Sequence, residues 1–119
     1  AVVGLSDKPD RDSYHVAAYL QNQGYKIIPV NPNAVEILGE KSYSDLTAIK
    51  EPVDIVDIFR KPEAVGEIVD QAIQMKAKAV WMQEGVVNDD AAKIASQAGL
   101  KVVMNKCILK EHRRLVAYG

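Results

Sequence analysis

The sequence predicts an α/β fold in which a parallel sheet is covered by helices on both faces, and three observations support this. Short, mostly apolar runs such as Ala1–Val3, Val53–Phe59 and Ala79–Met82 alternate with segments whose apolar residues recur at helical spacing. Glycine, proline and asparagine stand at the junctions between these segments. Runs that lack polar alternation are typical of strands buried on both faces. We therefore expect a doubly wound, three-layer α/β/α sheet of five to six strands.

The size and composition of the chain indicate a single domain over residues 1–119. Hydrophobic residues make up 48% and charged residues 26%, which are ordinary values for a globular domain. The formal net charge of -1 gives no electrostatic reason to expect nucleic acid or an anionic membrane as a partner. The single cysteine and the lack of any apolar run near the ~20 residues of a membrane helix predict a cytoplasmic protein. Because Ala1 opens directly in a core strand, we also expect residues to precede it in the natural chain.

The first half of the chain contains a strand, a glycine turn, a helix and a second strand. After Ala1–Val3 and the Gly4–Ser6 turn, apolar spacing predicts a helix over Ser13–Gln23 that ends at Gly24. Lys26–Val30 is predicted as a buried strand with Pro29 near its end, because proline cannot donate to the ladder. From Ala34 to Thr47 we expect a loop with a short strand at residues 41–43.

The second half of the chain repeats the alternation of strand and helix twice. Pro62 is a favourable first residue of a helix, and the apolar residues from Val65 to Ile73 recur at helical spacing. Asn88 predicts the cap of the next helix, which Gly99 ends. Lys101–Met104 is predicted as the last strand and Ile108–Val116 as the last helix.

Ligands of such sheets bind beyond the carboxyl ends of the strands, where the strand order reverses. This rule selects five segments that should converge on one rim: Gly4–Ser13, Val30–Asn33, Phe59–Pro62, Gln83–Gly85 and Asn105–Cys107. The first segment combines a glycine turn with a helix N-terminus, a geometry that suits a phosphate group. We therefore expect the binding site here.

The residues favour a nucleotide that carries a pyrophosphate and an extra ribose phosphate over plain NAD. Gly4 stands alone where the dinucleotide fingerprint has three glycines, and the second strand is followed by Asn31 where an acid would bind the ribose hydroxyls of NAD. The rim segments carry four cations that could balance phosphate charges, namely Lys8, Arg11, Arg60 and Lys61. NADP and coenzyme A both fit this description, and spacing does not choose between them.

Five blocks of sequence resemble the small stand-alone coenzyme A-binding proteins. That Rossmann-like family is similar to the coenzyme A-binding domain of succinyl-CoA synthetase alpha subunits. The blocks span nearly the whole chain: AVVGLSDKPDRDSY, GYKIIPVNP, VDIVDIFRKPE, KAVWMQEGVVND and AGLKVVMNKCILKEHRRL. One departure is visible, because relatives commonly have Asp-Arg-Cys where this chain has Asn105-Lys106-Cys107.

The resemblance implies a role for each part of the rim. It assigns the phosphates to the turn after the first strand and the start of the first helix, with Gly4, Leu5, Ser6, Lys8, Arg11, Ser13 and Tyr14. It assigns the adenosine moiety to Val30, Asn31 and Pro32. It assigns the pantetheine arm to Phe59, Arg60, Met82, Gln83 and Gly85. The implied cofactor is coenzyme A, and a homo-oligomer or an enzyme partner subunit stays open.

We expect a coenzyme A- or acyl-CoA-binding module with no catalytic machinery of its own. No metal-ligand spacing or Ser-His-Asp set appears, so no catalytic or metal residue is assigned. Two alternatives stay open: an NADP-binding oxidoreductase-type domain, and an enzyme that handles the CoA thiol or acyl group through Cys107. Cys107 is the candidate reactive thiol because it follows the last strand on the predicted rim.

Asp57 and Trp81 lie in otherwise apolar strands. A phospho-acceptor role for Asp57 needs an acidic pair after the first strand, where this chain has Gly4-Leu5-Ser6. A buried carboxylate is costly unless it is hydrogen-bonded, so we expect Asp57 to accept backbone hydrogen bonds from a neighbouring turn. Trp81 is expected in the core, with stacking on the ligand as the alternative.

Overall fold

The computed structural model describes residues 1–118, and of Tyr118 only the backbone. The strands are β1 (Val2–Val3), β2 (Pro29–Val30), β3 (Glu36–Ile37), β4 (Glu40–Lys41), β5 (Ile55–Ile58), β6 (Ala79–Met82) and β7 (Lys101–Val103). The α-helices are α1 (Asp12–Asn22), α2 (Val65–Gln74), α3 (Asp89–Gln97) and α4 (Ile108–Tyr118). Short 3₁₀ turns cover Leu46–Ala48 and Pro62–Ala64.

Five of the strands form one parallel sheet in the order β2-β1-β5-β6-β7. The chain therefore proceeds outward from β1 to one edge and then from β5 to the other edge. This arrangement confirms the predicted doubly wound, Rossmann-like sheet. No helix within residues 1–118 is long and apolar enough to cross a membrane.

Helices cover both faces of the sheet, and successive strand residues point to opposite faces. Val3, Val56, Ile58, Val80 and Met82 pack with residues of α2 and α3 in the larger core cluster. Val2 packs with residues of α1 and with Ile108 of α4 in the second cluster. The alternation of two clusters explains why the strands are apolar on both sides.

The residues that mark helix ends in the sequence predicted the bounds of the four helices to within one or two residues. Pro62 begins a 3₁₀ turn that leads directly into α2. Asn88 caps α3 as expected, since its side-chain oxygen accepts a hydrogen bond from the Ala91 amide at 3.0 Å. The strand predicted at Ala79–Met82 coincides with β6.

Two predictions in the first half of the chain were wrong. The strand expected at Lys26–Val30 pairs only over Pro29–Val30, because the edge strand β2 begins at a proline; Ile27 and Ile28 are buried by packing. The loop expected at residues 34–47 contains the β3–β4 hairpin, and the strand expected at 41–43 is reduced to the end of β4 and a bridge from Tyr43 to Val30.

The hairpin was not predicted from the sequence because leucine is an unusual residue in a turn of this type. Ile37 pairs with Glu40, which leaves a two-residue turn of Leu38 and Gly39 with φ values of 54° and 78°. Positive φ at both positions is the geometry that Asn-Gly normally marks in a sequence. Leucine rarely adopts this conformation, so the sequence carried no turn signal here.

The turn after β1 lies where the strand order reverses. Gly4 has a φ of 85°, and a Cβ built on it would lie 2.2 Å from the carbonyl oxygen of Phe59. Hydrogen bonds from the Gly4 amide to Val30 O (3.0 Å) and from the Phe59 amide to Val3 O (2.8 Å) hold the backbone segments at this distance. Only glycine therefore fits at position 4.

We predict that Gly4→Ala destabilises the fold far more than Gly24→Ala. Gly24 is a matched control because its φ is 93° and a Cβ built on it meets nothing within 4 Å. Gly24→Ala should cost only the positive-φ strain of about 1 kcal/mol. Gly4→Ala should lose at least about 2 kcal/mol more in urea unfolding because backbone atoms must move apart. Equal losses in the two variants would contradict the close approach.

Candidate functional site

The candidate site is the rim at the carboxyl ends of β1 and β5. The loop after β1 leads to α1 on one face, and the loop after β5 leads to α2 on the other. The divergence of these loops opens a crevice at the reversal of strand order, as the topology rule predicts. The Gly4 turn lies beside this crevice, because the aliphatic part of the Arg60 side chain packs against the turn and Arg60 lines the crevice.

The loop that follows Gly4 is held by buried contacts and by side-chain hydrogen bonds. Leu5 is fully buried in the second core cluster. The Asn31 side chain donates to Leu5 O at 2.9 Å, and its oxygen accepts from the Asn33 amide at 2.8 Å. These bonds occupy the Asn31 side chain, so it joins the loop after β1 to the loop after β2.

The N-terminus of α1 faces this loop with its amide groups uncapped by the N-cap residue. The cap position is Arg11, whose side chain makes no capping hydrogen bond. Ser13 is buried, and its hydroxyl accepts the Ser6 amide at 2.9 Å; the Lys8 amide donates to the Ser6 hydroxyl at 3.1 Å. Free amides at a helix N-terminus attract anions, and the exposed Lys8 and Arg11 add positive charge.

A cavity of about 690 Å³ opens on the α1 and α4 side of the rim. Of the predicted site residues, it brings together Phe59, Arg60, Gln83, Gly85 and Cys107. The lining also includes Lys61, one of the four predicted cations of the rim. Its other residues within the predicted rim segments are Asp12, Pro62 and Glu84, and those outside them are His15, Val16, Val86, Leu109 and Lys110. Glu84 and Lys110 form a salt bridge of 2.8 Å, and this hydrogen bond raises the pKa of Lys110 above its usual value.

A second rim cavity of about 160 Å³ lies on the α2 side. Val30 and Pro32 of the predicted site line it, together with Leu46 and Gln71. Arg60 lines both rim cavities. The two cavities therefore flank the Gly4 turn, with Arg60 between them.

Two residues assigned to the site have side chains inside the protein. Met82 and Leu5 are fully buried, in the larger and the second core cluster respectively. Because each residue is 0% exposed as a whole, neither is accessible to a ligand in this structure. Tyr14 is half-buried and packs against the second cluster beside the start of α1.

The amides of Gln83 and Asn105 join the end of β6 to the start of α4. Gln83 is 5% exposed, and its side-chain oxygen accepts a hydrogen bond from the Ile108 amide at 3.1 Å. The Asn105 side chain accepts the Gly85 amide at 2.8 Å. The sequence did not predict this role of Gln83. The residue before α4 is Cys107, whose side chain is a poor N-cap, so the Ile108 amide needs a hydrogen-bond acceptor from another part of the chain.

Trp81 lies on the face covered by α1 and α4, away from the rim cavities. Its indole N–H donates to Lys106 O at 2.7 Å, and it lines a separate cleft with Asp57. The expectation that Asp57 accepts backbone hydrogen bonds was wrong, since among the described residues neither carboxyl oxygen has a partner. No turn reaches Asp57 because its neighbours in register are Val2 and Trp81, in the middle of two strands.

The histidines lie apart, and the described residues contain no group of three or more potential metal ligands. His15 lines the larger rim cavity, whereas His112 is outside it, hydrogen-bonded through Nδ1 to the Tyr19 hydroxyl at 2.8 Å.

Comparisons with known proteins identify the family and the fold of this chain. A sequence model of the family described as CoA binding domain matches residues 1–113. The uncharacterized protein YneT of Bacillus subtilis is 43% identical over 112 residues, which cover 94% of this chain and 83% of that protein. The solved structure of a hypothetical protein from Pyrococcus horikoshii has a TM-score of 0.93 at 44% identity, covering 97% of this chain and 81% of that chain.

A larger enzyme contains a similar segment. The ADP-forming acetate–CoA ligase II of Archaeoglobus fulgidus is 28% identical over 95 residues, which cover 78% of this chain and 14% of the ligase. The comparisons together confirm the predicted resemblance and the Rossmann-like fold.

We predict that Gln83→Met destabilises the protein by about 1–3 kcal/mol, because the Ile108 amide loses its buried acceptor. Gln97→Met, an exposed position near the end of α3, is the control for the substitution itself and should change stability by less than about 0.5 kcal/mol. Urea unfolding measures both variants. If Gln83→Met were as stable as the control, the proposed anchoring of α4 would be wrong.

Proposed function

Because the chain belongs to the family of CoA-binding domains, we propose that it binds coenzyme A or an acyl derivative at the rim and acts as a binding module. The observation that carries the proposal is the Gly4 turn. It brings the backbone close enough to Phe59 to exclude any side chain, and it lies between the uncapped start of α1 and Arg60. This combination suits a pyrophosphate group.

The phosphates would be bound by the amides at the start of α1, since the Ser6 and Lys8 amides already donate to hydroxyl groups. Lys8, Arg11 and Arg60 would balance their charge, and an arginine fork can donate two hydrogen bonds to a phosphate. Ser13 would act indirectly, since its hydroxyl already accepts the Ser6 amide and orients the loop.

The pantetheine arm would lie in the larger rim cavity. Phe59, Val16, Val86 and Leu109 supply apolar walls for its methylene and dimethyl groups, and the backbone at Gly85 adds polar contacts. Apolar walls with a few polar groups are typical of small-molecule sites. The thiol end would then lie in the cavity that Cys107 also lines.

The adenosine end would lie at Val30, Asn31 and Pro32, beside the smaller rim cavity. The absence of a carboxylate after β2 supports a ligand with a phosphorylated ribose, because an acid there would repel the phosphate. The Asn31 side chain supports this end of the site from below, since it is bonded to Leu5 O and to the Asn33 amide.

We predict that calorimetric titration detects binding of coenzyme A and that Arg60→Ala weakens it by about tenfold to a hundredfold, the effect of one charged hydrogen bond to phosphate. Lys93→Ala is the matched control, because Lys93 is exposed on α3 and lines neither rim cavity. Dephospho-coenzyme A should bind more weakly than coenzyme A if the ribose phosphate is recognised.

The same titration with NADP and NAD tests the alternative cofactor. Tighter binding of NADP than of coenzyme A would overturn the proposal in favour of an oxidoreductase-type domain. Absence of binding by coenzyme A and its acyl derivatives would overturn the proposal.

A second candidate function uses Cys107, and its position in the wall of the larger rim cavity favours it. The Cys107 thiolate would attack one sulfur of an oxidised coenzyme A disulfide. A mixed disulfide would form at Cys107 while one coenzyme A thiolate leaves, which balances the exchange.

We predict that incubation with coenzyme A disulfide at mildly alkaline pH adds the mass of one coenzyme A to the protein. Intact mass spectrometry measures the adduct, and reduction should remove it. Cys107→Ser is the control and should give no adduct. A wild-type protein that stays unmodified would exclude the exchange and leave the binding function untouched.

A further inference from the structure

Gln71 of α2 lines the smaller rim cavity, of about 160 Å³, and has no role in the proposed function. The residue is half-buried, and within residues 1–118 its side-chain amide forms no hydrogen bond. An amide group carries N–H donors beside an oxygen acceptor, and polar groups removed from water are normally hydrogen-bonded. The cavity therefore contains a donor and an acceptor that are available to a ligand.

The helix directs Gln71 toward the rim. The cavity is lined by Ala64, Glu67, Ile68 and Gln71, whose spacing of three and four residues places them on one face of α2 and of the turn before it. α2 begins at the rim, because it follows the loop after β5. Side chains of a helix tilt toward its N-terminus, so the Gln71 amide extends along the cavity toward the rim.

The smaller rim cavity has the size and the apolar surface of a site for one ring system. Val3 and Val30, the last residues of β1 and β2, line it from the sheet. Leu46 and Ile68 line it from the first 3₁₀ turn and from α2. Its volume of about 160 Å³ is below the range of about 300–1,000 Å³ for whole ligands of drug size, so one base fits better than a complete nucleotide.

The charges around this cavity disfavour a phosphate inside it. Asp45 and Glu67 are exposed in its lining, and neither forms a salt bridge within the part of the chain that the structure describes. A hydrogen bond from the Thr47 hydroxyl holds the pKa of Asp45 below its usual value. Arg60 is the only cation among the described lining residues. The phosphates would therefore stay at Arg60, and the cavity favours a neutral group that donates hydrogen bonds.

We propose that Gln71 is the specificity-determining residue for the base of the bound nucleotide, and that the base it selects is adenine. The inference rests on the proposed function, because the phosphates must bind at the rim for the base to reach α2. The amide oxygen of Gln71 would accept a hydrogen bond from the amino group of adenine, while the amide nitrogen donates to N7. Glutamine reads adenine by this pair of bonds in DNA.

Other purines do not match the Gln71 amide in this way. Guanine and hypoxanthine present a carbonyl oxygen where adenine has its amino group, next to the same N7 acceptor. The amide nitrogen of Gln71 can donate to these bases, but its oxygen would face an acceptor and stay unpaired. A site that leaves one of its polar groups unpaired discriminates strongly against the ligand that causes this.

Coenzyme A and its deaminated analogue test the assignment. In the analogue hypoxanthine replaces adenine, so a carbonyl oxygen takes the place of the amino group and the rest of the molecule is unchanged. In calorimetric titration the wild type should bind coenzyme A about tenfold to a hundredfold more tightly than the analogue, the discrimination expected of one bidentate contact. Gln71→Ala should lose this factor for coenzyme A and bind both ligands about equally, because alanine distinguishes neither base.

Gln74→Ala is the matched control, because Gln74 is exposed on the same helix and lines neither rim cavity. It should discriminate between the two ligands like the wild type, and thermal unfolding checks that both variants are folded. Equal binding of the two ligands by the wild type, or undiminished discrimination by Gln71→Ala, would overturn the assignment of Gln71 while coenzyme A binding still supports the proposed function. No binding of either ligand by the wild type would overturn the proposed function and the inference together.

Discussion

The contact on which the rest of the structure depends is the close approach of Gly4 to the carbonyl group of Phe59. β1 is two residues long and hydrogen-bonds to a neighbour on each side, so the chain can leave it only by turning over the end of β5. A glycine with positive φ makes this turn, and any Cβ at position 4 would collide with the carbonyl group. The same absence of a side chain lets the aliphatic part of Arg60 pack against the turn. The topology and the position of Arg60 beside the candidate site therefore have one cause.

The elements predicted from the sequence are those whose signals are local. Pro62, Asn88 and Gly99 mark helix ends by their own backbone and side-chain chemistry, and β6 is a run of apolar residues that pairs along its whole length. The hairpin over residues 36–41 was missed because Leu38 adopts a positive φ that its side chain disfavours, which only the surrounding structure imposes. The limits of β2 were missed because Ile27 and Ile28 are buried outside the paired residues, and of the two only Ile28 bonds to β1, through its carbonyl oxygen. Burial and strand pairing give the same pattern of apolar residues, and the sequence does not separate them.

The sequence predicted where the candidate site lies, but it did not predict the role of each side chain there. The convergence of the loops after β1, β2, β5 and β6 follows from the order of strands and helices alone. Whether Gln83 faces a ligand or bonds to the start of α4 depends on where the Ile108 amide lies, 25 residues further along the chain. Asp57 shows the converse, because sequence logic required a hydrogen-bond partner that the fold does not provide. In both cases the hydrogen-bond partner of the side chain depends on how distant parts of the chain pack together.

Helix α4 is the wall that the larger rim cavity and the cleft have in common. Leu109 and Lys110 line the rim cavity, whereas Glu111, His112 and Leu115 line the cleft. The start of this helix is attached to β6 through Gln83, and the carbonyl group of Lys106 just before it accepts the Trp81 indole N–H. A ligand in the rim cavity would therefore contact a helix whose first turn is fixed to the central part of the sheet. Adjacent residues of this helix line different cavities, so the bonds that attach its first turn to β6 fix the orientation of α4 toward both.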